Sequence, residues 1–197
     1  MIIFKKMQGL ILKRQFCTQS FYDLGLTIHI ILIEPIFPTN AGSIGRTCLG
    51  FDSKLHLVGP LGFSLDEKYV KRSGLDYWQR VDKTVWENWE EFEKKKLPEI
   101  DHKYYFSTKA PESLINYRFS NDIKLPVKNK TIGLFFGSES KGLYDILGAE
   151  KMANGRVLKL PMNDNVDAAF RSFNLSCTVG MVIWDIYKEF YHLTKKQ

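Results

Sequence analysis

Short apolar runs alternate along the chain with longer segments of mixed polarity. Five runs rich in β-branched or aromatic residues predict β-strands, at residues 28–33, 54–58, 103–107, 131–136 and 156–160. The runs at 28–33 and 131–136 are apolar almost throughout, which is typical of strands that are buried on both faces. Because helix-like segments separate the runs, the pattern predicts an α/β fold with a mostly parallel sheet flanked by helices.

Two S/T-x-x-E pairs predict the starts of helices. Ser64 with Glu67, and Thr84 with Glu87, have the spacing of a capping box, in which each side chain accepts a hydrogen bond from a free backbone N–H. The second predicted helix carries an aromatic stripe, which we interpret as core packing and not as a base-stacking platform: Trp86, Trp89 and Phe92. Acids near its start and lysines near its end complement the helix dipole.

The last helical segment, at about residues 170–193, is apolar on two faces. One stripe consists of Leu175, Val179, Val182, Ile183, Ile186 and Phe190, and a neighbouring one of Cys177, Met181 and Trp184. A helix that is apolar over more than one face usually has a second surface to bury. Two interpretations stay open on the sequence, a homodimer interface and a helix buried deep in one domain.

Composition and charge predict one domain that carries a basic extension. The chain has 197 residues, of which 44% are hydrophobic, enough for one compact core. The net charge of +6 favours a polyanionic partner such as RNA. Half of that excess lies in residues 1–27, whose charged residues are Lys5, Lys6, Lys13 and Arg14 against Asp23. We therefore predict an N-terminal extension, 1–27, and a folded domain, 28–197.

The extension fits two interpretations. Its richness in Lys, Arg, Gln and Ser, with almost no acids, is typical of an organellar transit peptide, and equally of a disordered basic arm. A transit peptide would place the protein in a mitochondrion or plastid, and an arm would leave it in the cytoplasm. No apolar run approaches the ~20 residues that span a bilayer, so no membrane association is expected.

The cysteines and histidines predict neither a disulfide framework nor a metal site. Cys17, Cys48 and Cys177 are odd in number and far apart, with no C-x-x-C pair, and the four histidines form no H-x-x-x-H pair. We expect a reducing compartment and no metal.

Ligands of open parallel α/β sheets bind beyond the carboxyl ends of the strands, so the segments that follow strands are the candidate sites. The first, 34–46, contains Asn40 and Arg46 with two glycines between them. Gly42 and Gly45 each cost a helix about 1 kcal/mol relative to Ala, which indicates the close approach of a ligand or another backbone. Taken singly, Asn40 would be a plain helix cap and Arg46 a solvated side chain.

The second candidate segment, 137–143, places glycines on both sides of Glu139. Gly137 and Gly142 permit a tight loop with exposed backbone groups, as a loop around a nucleoside requires. The spacing is neither G-x-G-x-x-G nor a P-loop, which counts against a dinucleotide or nucleoside triphosphate site. Glu139 by itself would serve as a cap of the following helix.

The third candidate segment follows the last predicted strand. Leu160, Pro161 and Met162 end the strand, and Ser172, Asn174 and Ser176 then stand where the last helix begins. Such residues are favoured at helix caps, which is their simplest interpretation.

Taken in order, the three segments resemble the motifs of the SPOUT RNA methyltransferases. These are N-x-x-x-x-x-R (Asn40, Arg46), G-x-E-x-x-G-L (Gly137, Glu139, Gly142, Leu143), and a strand with Pro-Met followed by S-x-N-x-S (Ser172, Asn174, Ser176). The likeness extends over nearly all of residues 28–190. Residues 34–40, 59–63 and 72–77 are most similar to the TrmL (YibK) subfamily, which methylates the ribose of the tRNA wobble nucleotide.

The resemblance implies a C-terminal trefoil knot, S-adenosylmethionine as cofactor, tRNA as RNA partner and a homodimer. Cofactor contacts are then expected from Phe106, Gly137, Leu160 and Ser172. The methyl-acceptor side is expected at Asn40, Arg46, Glu139 and Asn174. Contacts to RNA are expected from Arg46, Lys71, Arg72 and Lys141. Because a guanidinium keeps its proton in proteins, Arg46 suits an alkoxide or a phosphate better than the role of a base.

Three departures from the subfamily pattern bear on the substrate. The segment 163–170 is longer than usual, Gly-Ser-Glu replaces Gly-Pro-Glu at Gly137, and Trp184-Asp185 stands where Tyr-Glu is common. Two alternatives to the wobble nucleotide therefore stay open. One is 2'-O-methylation at another tRNA or rRNA site, and the other is an RNA-binding or assembly factor without catalysis.

Overall fold

A seven-stranded parallel sheet forms the middle layer of the computed structural model, which describes residues 20–21, 23–65, 77–124, 129–163 and 171–194. The strands are β1 (Leu26–Ile33), β2 (Lys54–Val58), β3 (Lys83–Trp86), β4 (His102–Phe106), β5 (Glu112–Ser113), β6 (Lys130–Phe136) and β7 (Arg156–Lys159). Their order is β3-β2-β1-β6-β4-β7-β5, and each neighbouring pair is parallel. The predicted α/β class is confirmed.

Helices cover both faces of the sheet. They are α1 (Pro38–Phe51), α2 (Trp89–Lys95), α3 (Gly142–Lys151) and α4 (Leu175–Thr194). In β1, Ile28, Ile30 and Leu32 belong to the core shared with α1 and α4, whereas Ile31 and Ile33 belong to the core shared with α2 and α3. This alternation explains why the strand is apolar almost throughout, as expected for burial on both faces.

One predicted helix start is wrong. Thr84 lies in β3, because this β-branched and aromatic segment pairs in parallel with β2. The helix begins four residues later, where Asn88 accepts a hydrogen bond from the Glu91 backbone N–H at 2.9 Å. The Glu91 carboxylate accepts in turn from the Glu87 N–H at 2.9 Å. The other pair includes Glu67, which lies outside the described residues.

The aromatic stripe predicted on that helix is divided between two elements. Trp86 is on β3, and its ring lies 5.5 Å from that of Phe92 on α2. Trp89 and Phe92 are buried in the core between α2, α3 and the sheet. The interpretation of the stripe as core packing is confirmed, although its helical geometry is not.

The C-terminal helix α4 is buried on one face only. Its buried residues include Val179, Val182, Ile183, Ile186 and Phe190. Met181 and Trp184 on the neighbouring stripe are 40% and 54% exposed. The alternative of a helix buried deep in one domain therefore fails for this stripe, which faces outward from the single chain. In the described ranges, no helix combines the length and the apolar character needed to cross a bilayer.

Candidate active site

A cavity of about 540 Å³ opens at the carboxyl ends of β4, β6 and β7. In the strand order, β2 and β3 lie on one side of β1, and β6 and β4 lie on the other side. The direction in which strands are added to the sheet therefore reverses next to β1. Ligand sites of open α/β sheets lie at such reversals of strand order. The volume is within the range of small-molecule sites.

The four residues predicted to contact the cofactor all line this cavity. Phe106 ends β4 and stacks on Phe136 at the end of β6, with ring centroids 5.0 Å apart. Gly137 comes from the second candidate segment, and Leu160 and Ser172 come from the third. The fold thus brings the predicted residues, which are up to 66 positions apart in the chain, to one cavity.

The loop at residues 137–142 between β6 and α3, which we call the glycine loop, is closed too tightly for a side chain at Gly137. A Cβ built on Gly137 would lie 2.5 Å from both the Gly142 carbonyl carbon and the Leu143 nitrogen. Gly142 itself has φ +73°, a left-handed conformation that favours glycine. Its N–H donates to the Ser138 carbonyl at 3.0 Å. Compact backbone at Gly137 therefore forms part of this wall of the cavity, beside residues 138–141.

Glu139 joins the glycine loop to the segment after β1. Its carboxylate accepts hydrogen bonds from the Ile36 N–H at 2.9 Å, the Phe37 N–H at 3.3 Å and the Asn40 side-chain amide at 2.9 Å. The interpretation of Glu139 as a cap of α3 is wrong, because Lys141 holds the cap position and makes no side-chain cap bond. The carboxylate instead fixes a segment about 100 residues earlier in the chain.

Asn40 is not a helix cap either. Pro38 occupies the first helical position, where its fixed φ is favourable, so Phe37 takes the cap position and Asn40 falls inside the first turn. The Asn40 amide is 7% exposed. Its nitrogen donates to Glu139, and its oxygen accepts from the Asn174 amide at 3.0 Å.

Asn174 serves two purposes. Its side-chain oxygen accepts from the backbone N–H groups of Ser176 at 2.8 Å and Cys177 at 3.4 Å, which confirms the capping interpretation. Its amide nitrogen is directed to Asn40. The hydrogen-bonded chain Glu139–Asn40–Asn174, which we call the amide chain, therefore connects all three predicted motifs at the edge of the cavity.

The predicted basic residues are not all at the cavity. Lys141 lines it, with Nζ 3.2 Å from the Glu34 carboxylate. Arg46 does not line it: six residues after Asn40, it lies about 9 Å farther along α1. Its guanidinium carbon sits 4.4 Å from the centre of the Tyr77 ring. Lys71 and Arg72 lie outside the described residues.

Sequence reasoning missed an ion pair at the rim of the cavity. Lys109, in the loop after β4, lies 2.7 Å from Asp145 on α3, and both residues line the cavity. The only sequence signal for Lys109 was its place just beyond a strand end. Asp145 carried none, because an acid in the first turn of a helix is common.

The lining suits a nucleoside-bearing cofactor such as S-adenosylmethionine. Phe106, Leu160 and Met162 offer apolar surface for a flat base, and the hydroxyls of Ser138 and Ser172 are among the polar groups beside them. The compact loop at Gly137 presents backbone to the same space. Among the described residues, no group of acidic, His or Cys side chains could hold a metal ion.

Solved structures share this fold over most of the chain. A crystal structure of a Bacillus anthracis protein is 33% identical, with a TM-score of 0.69 over 83% of this chain and 94% of that one. Another, described by the words "Structural insights into the 2-OH methylation of C/U34 on tRNA", is 32% identical, with a TM-score of 0.67 over 86% and 99%. Fold and site together define an α/β methyltransferase of the SPOUT class.

Sequence comparison gives the family. The model of the SpoU rRNA Methylase family matches residues 27–184, and the chain belongs to this family. A Listeria monocytogenes serotype 4b protein is 37% identical over 161 residues, 82% of this chain and 87% of its own length. A Burkholderia ambifaria protein named tRNA (cytidine(34)-2'-O)-methyltransferase is 32% identical over 162 residues, 82% of this chain and 94% of its own length.

Proposed function

We propose that the protein transfers a methyl group from S-adenosylmethionine to the ribose 2'-hydroxyl of the wobble nucleotide of a tRNA. The amide chain carries this proposal, because it ties the three motif segments together beside a cavity of cofactor size. The name of the Burkholderia ambifaria relative supports the choice of nucleotide.

The cofactor is held by Phe106, Gly137, Leu160 and Ser172 in this proposal. The sulfonium of S-adenosylmethionine supplies an activated methyl group when it is bound. The protein's own task is then to align one ribose oxygen with that methyl group, to exclude water and to manage one proton.

The acceptor side is framed by Asn40, Glu139 and Asn174. Their mutual hydrogen bonds hold the amides in one orientation, so the edge of the cavity is preorganised before RNA binds. Arg46 lies farther along α1, at a distance better suited to a phosphate of the substrate than to the reacting oxygen. A planar guanidinium binds phosphate in a bidentate manner.

Electrostatic contacts to the RNA backbone are assigned to Lys71, Arg72 and Lys141. Lys141 is 63% exposed beside the cavity, so a phosphate can compete with Glu34 for its ammonium group. Such contacts position the RNA without reading its sequence.

A homodimer completes the proposal. A groove of about 750 Å³ runs between α1 and α4, and its apolar lining includes Leu49, Phe51 and Trp184. Together with Met181, this surface leaves large apolar side chains exposed on a single chain. A second copy of the chain is proposed to cover it.

The basic extension is proposed to direct the protein to a mitochondrion or plastid, the alternative being a cytoplasmic protein with a basic arm. Phe21 and Leu24 belong to the core, and the Phe21 ring lies 5.5 Å from that of Tyr187. A cleaved form therefore has to keep Phe21. Imaging of a fusion to the full chain, against one that starts at Ser20, tests the targeting. Identical distributions of the two would contradict it.

Labelled S-adenosylmethionine and tRNA lacking the modification test the activity directly. We expect label on the ribose at position 34, mapped by nuclease digestion and mass spectrometry. Label on a base would contradict ribose methylation, and label on another ribose would move the substrate to another tRNA or rRNA site. RNA binding without any cofactor binding, measured by calorimetry, would instead support the non-catalytic alternative.

A further inference from the structure

Tyr77 touches α1 at two points that are one helical turn apart. Its hydroxyl donates a hydrogen bond to the Gly42 carbonyl at 2.9 Å. The face of its ring lies 4.4 Å from the guanidinium carbon of Arg46. Residues four apart lie on the same face of a helix, so the phenol lies lengthwise along one turn of α1.

The neighbouring residue fixes the backbone of Tyr77 against the same helix. Trp78 is 5% exposed, and a Cβ built on Gly45 would lie 2.8 Å from its ring. α1 and this segment are therefore packed closely together at Gly45. The half-buried ring of Tyr77 is held by Trp78 on its backbone side and by Gly42 at its hydroxyl.

Stacking on a ring occupies the face of a guanidinium and leaves its edge available. The N–H donors of arginine lie in the guanidinium plane and match the oxygens of a phosphate. An exposed arginine otherwise samples many rotamers, and a cation–π contact at an exposed site favours one of them by about two- to fivefold. A ring beneath Arg46 thus restricts its side chain without using the donors that bind a phosphate.

We propose that Tyr77 is a positioning residue, which holds the Arg46 guanidinium in the orientation that grips a phosphate of the RNA substrate. This inference rests on the proposed function, in which Arg46 contacts that phosphate. Tyr77 itself does not touch the reacting atoms, and it acts through Arg46.

A double-mutant cycle on the full-length protein tests the coupling. Tyr77→Leu, Arg46→Ala and the double variant are compared for tRNA dissociation constant, for kcat and KM, and for S-adenosylmethionine affinity by calorimetry. We expect Tyr77→Leu to weaken tRNA binding by about two- to fivefold, the strength of the cation–π contact, with cofactor affinity unchanged. In the Arg46→Ala background, Tyr77→Leu is expected to have no further effect.

Two further variants separate positioning from folding. Tyr77→Phe keeps the ring beneath the guanidinium and is expected to restore most of the tRNA affinity. Tyr144→Leu changes another half-buried tyrosine, on α3, and is expected to leave tRNA affinity unchanged. Loss of Arg46 is expected to reduce the slope of log Kd against the logarithm of the salt concentration by about one.

Several outcomes would overturn the inference. An equal loss from Tyr77→Leu with and without Arg46 means that Tyr77 acts independently. Unchanged tRNA binding in either single variant means that the contact positions nothing. A wild-type protein that binds tRNA but transfers no methyl group to ribose contradicts the proposed function instead, and the binding cycle still decides the role of Tyr77.

Discussion

The Glu139 carboxylate accepts two backbone N–H groups and one side-chain amide from a segment that would otherwise have to satisfy them with water. Glu139→Ala is expected to lower the free energy of unfolding by about 2 kcal/mol, because hydrogen bonds to charged groups are among the stronger ones. Glu139→Gln keeps one acceptor oxygen and is expected to lose less. Denaturant titration measures both changes.

Glu150 on α3 provides the matched control for Glu139, since it is an exposed carboxylate on the element that follows the glycine loop. Glu150→Ala is expected to change the free energy of unfolding by less than about 0.5 kcal/mol. Equal effects of the two alanine variants would show that the bonds to residues 36–40 contribute no stability.

Two buried histidines form a pair with a defined tautomer. The Trp86 indole N–H donates to His56 Nδ1 at 3.0 Å, so His56 carries its proton on Nε2, which lies 2.7 Å from His29 Nδ1. Both rings are almost fully buried. A second proton on His56, at Nδ1, would point at the indole N–H of Trp86. The neutral pair is therefore the arrangement in which Trp86, His56 and His29 all keep these hydrogen bonds.

Stability is expected to fall in mild acid because of this pair. Burial, and then repulsion by a charged His56, lowers the pKa of His29 to about 3. Burial, with smaller contributions from Lys96 and Lys54, lowers the pKa of His56 to about 4. Below pH 6.5 the two histidines are protonated in the unfolded chain but stay neutral in the folded chain. The free energy of unfolding therefore falls by up to about 1.4 kcal/mol per pH unit for each histidine. The contribution of the neutral pair to the free energy of unfolding is fully present above pH 6.5 and declines as the pH falls toward 4.

Urea denaturation between pH 7 and pH 5 measures this dependence. A His29→Phe/His56→Leu variant is expected to have a flatter profile, whatever its stability at neutral pH, because the two most deeply buried imidazoles are gone. The half-buried His102, whose pKa is also lowered by burial, remains in this variant. A steep decline that persists in this variant would assign the effect to other groups.

At the scale of elements, the strands β1 and β6 could be predicted because each is apolar almost throughout. β3 could not be predicted, since Thr84 and Glu87 have the spacing of a capping box. The segment is a strand because it pairs in parallel with β2, which the local sequence does not indicate. β5 has two residues, Glu112 and Ser113, which is too short for any periodic pattern.

The site, like the sheet, could be predicted from local motifs but not in its contacts between residues that are far apart in the chain. Gly137, Leu160 and Ser172, from the ordered motifs, and Phe106, from the family resemblance, all line one cavity, as expected. Taken singly, Asn40 fits a helix cap, and no local pattern indicates its partners, Glu139 and Asn174, which are 99 and 134 residues away. Position in a motif can be transferred by resemblance, but hydrogen-bond partners that distant have no local signature.

The glycine loop yields a prediction about cofactor binding. Gly137→Ala is expected to open the loop, because the new Cβ would meet backbone atoms at 2.5 Å that cannot move aside cheaply. We expect at least a tenfold weaker affinity for S-adenosylmethionine by calorimetry and a destabilisation of about 1–3 kcal/mol, as for overpacking elsewhere.

Gly50→Ala is the control for this loop, since a Cβ there meets nothing within 4 Å and lies in the last turn of α1. Its cofactor affinity is expected to equal that of the wild type, and its stability to be equal or slightly higher. Normal cofactor binding by Gly137→Ala would contradict the assignment of the loop to the cofactor site.

At the scale of the whole molecule, the exposed stripe of α4 predicts an assembly. Trp184→Glu is expected to convert the proposed dimer to a monomer, because the interface would then have to bury a charge in place of the most exposed large ring of α4. Sedimentation velocity at micromolar concentration measures the change. Ile115→Glu, at an apolar side chain that is 63% exposed elsewhere, is the control and is expected to remain dimeric. A monomeric wild-type protein would contradict the proposal.

The sheet order has a consequence for synthesis on the ribosome. β1 lies between β2 and β6, yet β6 is encoded about 100 residues after β1. At ~5–20 residues per second, one edge of β1 stays open for roughly 5–20 seconds until β6 has been translated. Because unpaired apolar edges pair readily with other chains, we expect the open edge of β1 to be the place where the nascent protein is most prone to aggregate during that interval.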